Sequence, residues 1–224
     1  MFTPRLFRFL RELADHNDRA WFEAHRDDYV RDVEAPALDF IDAVRDPLAE
    51  LAPHFVADAR RIGGSLFRIH RDLRFTKDKT PYKTHVGIHF RHETARDVHA
   101  PGFYLHLEPR NCFVGVGIWR PEPRVASRVR ERILAEPEAW MAATRALPFA
   151  QVFTLDGERL QRPPRGVDPD HPLVDDLRFK EFVASCRLSQ REVTSSGFVD
   201  GFIRRLERTV PFMAFLCGAV GVDY

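Results

Sequence analysis

Residues 102–119 read Gly-Phe-Tyr-Leu-His-Leu-Glu-Pro-Arg-Asn-Cys-Phe-Val-Gly-Val-Gly-Ile-Trp. The stretch alternates with a period of two on both sides of Pro109-Arg110-Asn111, which predicts a hairpin. In its first half Phe103, Leu105 and Leu107 share one face, while Tyr104 and His106 share the other. In its second half Cys112, Val114, Val116 and Ile118 oppose Phe113, Gly115, Gly117 and Trp119. His85–Phe90 alternates in the same way, with Val86, Ile88 and Phe90 on its apolar side, and Ser65–His70 alternates over a shorter span. These segments predict a largely antiparallel or mixed sheet of about four to six strands with one apolar face.

Outside this block the period changes to that of a helix. Thr3 and Pro4 open a first helix, with Leu6, Phe9, Leu10 and Leu13 on one stripe. His16-Asn17-Asp18 interrupts it, and Asp18 caps a second helix carrying Trp21, Phe22, His25 and Tyr29. A third runs from about Pro36 to near Pro53. Beyond Trp119, helices are expected from Pro121, over Pro137–Arg145, from Gly197 to Val210, and after Pro211. Prolines crowd the connection at 162–172. No repeat or flexible linker divides the chain, so the reading is one α+β domain over 1–224, with helices at both ends of the sheet.

Composition narrows the function classes. The chain has 224 residues with 44% apolar and 30% charged side chains, ordinary for a globular protein. No apolar run is long enough to span a membrane, and the first residues lack a signal-peptide core. The three cysteines, Cys112, Cys186 and Cys217, are odd in number and widely spaced, which speaks for a reducing, cytoplasmic setting. The net charge of +1 conceals an asymmetry. Residues 1–59 hold seven Lys and Arg against thirteen Asp and Glu, a balance of −6. Residues 60–83 hold eight against two, a balance of +6. One basic segment in a neutral chain points to a local anion site rather than to a general polyanion-binding surface.

That segment contains Arg71, Arg74, Lys77, Lys79 and Lys83, interleaved with Phe75, Pro81 and Tyr82. Such cations must be solvated, paired with acids, or offered to an anion. Asp72 and Asp78 lie inside the run and could pair them, so a salt-bridged structural loop and a ligand-binding loop both fit. Arg162 and Arg165, in the proline-rich connection, could close over the same anion. The aromatic rings would either anchor the loop or stack on a planar ligand.

The quoted stretch offers a second candidate. On the polar face of the expected sheet, Gly87, Gly115 and Gly117 leave space, and His85, His89, Tyr104, His106 and Trp119 surround it. This describes a pocket floor, although glycines there would equally admit a packed helix. A metal is not expected from sequential histidines, because i and i+4 on a strand lie ~13 Å apart. Any such site would draw ligands across strands, for example His89 with His106. Asp168, Asp170 and His171 could do acid–base work, but their prolines first suggest a rigid surface loop. No nucleophile elbow or phosphate loop is present.

Residues 63–83, Gly-Gly-Ser-Leu-Phe-Arg-Ile-His-Arg-Asp-Leu-Arg-Phe-Thr-Lys-Asp-Lys-Thr-Pro-Tyr-Lys, resemble the signature of a widespread bacterial and fungal conserved-hypothetical family, DUF2461. Asn17–Phe22 with His25-Arg26 and Tyr29, Pro101–His106, Gly117–Glu122, and Arg162–Gly166 with Asp168, His171-Pro172 and Lys180–Phe182 resemble its other motifs. Gln161 stands where a basic residue would be expected, so it adds nothing to a basic site. The resemblance covers nearly the whole chain and attaches no activity, cofactor or catalytic residue. Three functions follow as expectations: binding of, or catalysis on, a phosphorylated or other anionic small molecule; association with nucleic acid through the same patch; or a structural or interaction role without a small ligand.

Overall fold

A computed structural model describes residues 1–74, 76–95 and 99–224. Phe75, one of the interleaved aromatic residues, lies outside the described residues.

The quoted stretch forms the centre of a six-stranded, fully antiparallel sheet in the order β1-β2-β3-β4-β6-β5. The strands are β1 (Phe55–Val56), β2 (Val86–His92), β3 (Gly102–Glu108), β4 (Asn111–Ile118), β5 (Thr154–Asp156) and β6 (Phe182–Leu188). The hairpin turn at Pro109-Arg110 places Arg110 at φ 67, and Glu108 pairs with Asn111 across it. Gly117 takes φ +120, and a Cβ there would stand 2.1 Å from the Phe182 carbonyl oxygen. Only glycine allows β4 to approach β6 at this point.

Period-two patterning fixes the faces. Val86, Ile88, Leu105, Leu107, Val114, Val116 and Ile118 are all buried, as are Phe182, Ala184, Cys186 and Leu188 on β6. Helix α4 (Ala35–Leu51) and the C-terminal helix Val210–Val220 pack against the sheet, the first on β1 and β2 and the second on β4. The preceding helix, Phe198–Glu207, packs on α4. The buried apolar side chains join into one cluster. Within it Asp176 accepts hydrogen bonds from Trp140 Nε1 at 2.9 Å and Arg145 Nη2 at 3.0 Å, so the buried carboxylate is satisfied. No helix among the described residues is long and apolar enough to cross a membrane.

Several elements differ from the expectations. Thr3 occupies the N-cap of α1 (Pro4–Asp15) in extended geometry, but its side chain makes no capping bond. Asp18 does cap α2 (Arg19–Ala24), accepting from Trp21 N at 2.9 Å. The helix then breaks at His25, resumes as α3 (Arg26–Tyr29), and joins α4 through a π-helical turn at Val30–Glu34. No loop therefore precedes Pro36. α5 (Pro123–Ala135) starts at Pro123 instead of Pro121, because Glu122 takes the extended N-cap and Pro123 fills the first position, where no N–H is needed. Ser65–His70 is not a strand. It contributes only isolated bridges, Leu66 with Ile88 and His70 with Tyr82. The chain leaves the β2 edge there to pair with itself, Arg71 N donating to Pro81 O and Lys83 N to Ile69 O.

Candidate functional site

Along β3 the residues Tyr104, His106 and Glu108 recur every second position and so project from one face. They form a hydrogen-bonded row. The Tyr104 hydroxyl lies 3.0 Å from His106 Nδ1, and His106 Nε2 lies 3.3 Å from Glu108 Oε2. Asn111, just past the turn, donates to the same Glu108 oxygen at 2.9 Å. The His85 ring stacks on His106 at 4.5 Å between centroids, and Phe113 covers the other side at 4.7 Å. His89, opposite Tyr104 in the β2–β3 register, lies over Gly102, where a Cβ would stand 2.2 Å from His89 Nε2.

Apart from Glu108 and Asn111, these side chains line a cavity of about 840 Å³ on the sheet face opposite the core. All five residues expected around a pocket floor, His85, His89, Tyr104, His106 and Trp119, line it, with Gly115 and Gly117. Phe67, which the sequence did not single out, adds a further ring. Its signal was the period-two alternation of Ser65–His70. Trp119 stands at the rim with the Arg120 guanidinium 4.6 Å from its ring centre. Lys83 enters from one side, and Asp156, Glu158 and Glu181 from another. Those acids are compensated: Lys180 pairs with Glu158 at 2.9 Å, Arg120 with Glu181 at 3.7 Å, and the Ser185 hydroxyl donates to Asp156 at 3.3 Å.

Burial sets the protonation of the face. It pushes His85 and His89 down to about 4, aided by His106 beside the first and Arg91 beside the second. It lowers His106 as well and raises the Tyr104 hydroxyl. Burial would raise Glu108, but the bonds from Asn111 and His106 outweigh it and hold the carboxyl below its usual range. At neutral pH the face therefore carries three neutral imidazoles and a phenol, with the Glu108 carboxylate bonded to His106. It offers both donors and acceptors.

The basic segment divides. Arg71 pairs with Asp78 and Thr80, and Arg74 with Asp72 at 2.6 Å. Lys79 Nζ donates to Leu73 O at 3.0 Å, and Lys77 is exposed. Tyr82 is an anchor: it stacks on Phe22 at 4.1 Å and exchanges two hydrogen bonds with Asn17. Lys83 differs from its neighbours. Its Nζ donates to Arg68 O at 2.8 Å and lies 5.5 Å from the Phe67 ring centre, with no carboxylate partner among the described residues. Burial, then Arg68, lowers its pKa. Arg71, Lys83 and His85 also line a smaller cavity of about 380 Å³ with Asn17 and Thr80. Arg162 and Arg165 are exposed, and no hydrogen bond or ion pair joins them to residues 71–83 among the described residues. The expected convergence of the two segments is thus not made by contacts. Asp168 and His171 serve their own loop, accepting from Asp170 N at 2.9 Å and Leu173 N at 3.1 Å.

Fold and site together define an α+β protein that buries one face of an antiparallel sheet under helices and builds an aromatic, histidine-rich pocket on the other. The chain belongs to the family described as conserved hypothetical protein (DUF2461), which matches residues 5–215. Neither the curated proteins nor the solved structures yield a match.

Proposed function

We propose that the chain binds an anionic small molecule with a planar body. The body lies in the large cavity among Phe67, Tyr104, Phe113 and Trp119, and the anionic group reaches the point where the two cavities share Lys83 and His85 as lining residues. Lys83 carries this reading. It is a half-buried ammonium with no acid beside it among the described residues, whereas Arg71 and Arg74 each have one. An unpaired cation drawn from water is costly, and an arriving anion offsets that cost. Arg71 stands at the same place and can exchange Asp78 for the ligand. Within this reading the remaining cations, Arg74, Lys77 and Lys79, with Arg162 and Arg165, attract the anion from a distance. Three buried, unpaired cysteines are in keeping with a cytoplasmic protein.

The test is ligand-dependent melting with inorganic phosphate, benzoate and nucleoside monophosphates as probes. A planar anion is expected to raise the melting temperature of the wild type more than phosphate does, and to fail with Lys83→Gln and Phe67→Ala. If no probe stabilises the wild type, or both variants respond as it does, the proposal is lost. Binding of mixed oligonucleotides with a steep salt dependence would replace it with the nucleic-acid reading.

A further inference from the structure

Three metal-ligating side chains meet at one wall of the large cavity. A single ligand atom from each of His85, His106 and Glu108 lies within 4.8 Å of the others, the one grouping of this kind among the described residues. The sequence places them far apart, and the β2–β3 register brings them together. His85 directly precedes the Val86–Leu107 pair, and Leu107 sits between His106 and Glu108. The ligands thus come from two neighbouring chain segments, as a sheet requires, with His85 in place of the more distant His89.

The surroundings hold these groups as metal ligands are usually held. His106 Nδ1 is fixed by the Tyr104 hydroxyl at 3.0 Å. In the metal-free protein His106 Nε2–H donates to the Glu108 carboxylate at 3.3 Å, and an ion between the two replaces that proton, which Nδ1 then carries and donates to the Tyr104 oxygen. Glu108 is oriented by Asn111 at 2.9 Å, and its other oxygen lies 3.5 Å from the Thr84 hydroxyl. His85 makes no hydrogen bond among the described residues, so its ring is free to turn from its stack on His106 toward an ion. His85 and His106 both line the cavity, which leaves further coordination positions open to a bound molecule. Two imidazoles and one carboxylate suit borderline first-row dications better than magnesium or calcium, which take oxygen.

We infer that His85, His106 and Glu108 bind one divalent transition-metal ion of the zinc class at the wall of the cavity. The inference stands apart from the anion reading, since metal uptake is measured with no organic ligand present. The experiment strips the full-length protein with chelator and titrates it with Zn²⁺ against a chromophoric competitor. The visible spectrum of the Co²⁺ form is recorded alongside. One equivalent per chain is expected, with ligand-field bands for Co²⁺ and a raised melting temperature. His106→Ala and Glu108→Gln should each weaken Zn²⁺ by about 100-fold or more, and Tyr104→Phe by about tenfold, as for an outer-shell partner. His54→Ala, at a surface pair with Glu93, should bind as the wild type does. The inference is overturned if the stripped wild type takes up neither ion. It is also overturned if Glu108→Gln, folded by its melting curve, binds Zn²⁺ as tightly as wild type, for the ion then sits on other histidines. Glu108→Gln decides the matter should His106→Ala fail to fold.

Discussion

Arg71, Arg74, Lys79 and Lys83 each have a different neighbour, and the neighbour sets what each can do. Arg74 and Asp72 are an exposed pair, at 75% and 44% side-chain exposure, so solvent screens most of their attraction. Arg74→Gln is therefore expected to leave the urea midpoint within error of wild type. A large loss of stability would mean that the loop is held by its ion pairs. Asp176 is the opposite case. It is 8% exposed and receives the indole N–H of the buried Trp140. Asp176→Ala strands that donor and should cost about 2 kcal/mol in urea unfolding, the penalty of a buried unsatisfied group. An unchanged midpoint would show that water reaches the indole. Between these extremes stands Lys83, half-buried and without an acid among the described residues, and it is the cation best placed to respond to a ligand.

At the scale of elements, β4 does two jobs at once. Its even-numbered residues Cys112, Val114, Val116 and Ile118 are buried against the helices, while Phe113, Gly115 and Gly117 line the cavity. Val116 is 2% exposed and pairs with Phe103 and Ala184 on its two sides. Val116→Asp buries a charge with no partner and is expected to cost more than about 4 kcal/mol, or to prevent folding. A variant melting within a degree or two of wild type would refute this register. β3 is the complementary strand. Its apolar side chains join the core, and the alternate set presents Tyr104, His106 and Glu108 as a connected row. One strand thus couples the stability of the sheet to the geometry of the pocket.

For the whole molecule, a pocket face of neutral histidines has a consequence for acid stability. His85 and His89 take up protons near pH 6.5 when the chain is unfolded but only at about 4 when it is folded. Between those values the unfolded state binds more protons, so stability falls as the pH falls from 6.5 toward 4. Depressed carboxylates such as Asp72 and Asp78 add their loss only near and below their ordinary value of 3.8. The upper part of the window is thus the histidines' own. Urea unfolding at pH 7 and pH 5 should show the decline, and His89→Gln should flatten it. A wild-type curve that is level across this range would mean that these rings are hydrated in the native state.

Alternation alone made the β2–β4 part of the sheet, its apolar face and the pocket residues on the other legible, because a period of two assigns every side chain on a strand to a face. Most helices were likewise legible, through their stripes and caps. Three further features depended on contacts between distant segments. The fold turned Ser65–His70 from a strand into two bridges, since that depends on which edge the chain meets and where it turns back. It added β6 beside β4, and β5 beyond it, strands that the sequence reading did not include, because which segments join the sheet and in what order is a long-range choice. Finally, among the described residues it left Lys83 without an acid while pairing Arg71 and Arg74, and it set His85 rather than His89 beside His106 and Glu108. Charge pairing and ligand clustering depend on distances through space, and a linear sequence specifies those only once the register of the sheet is fixed.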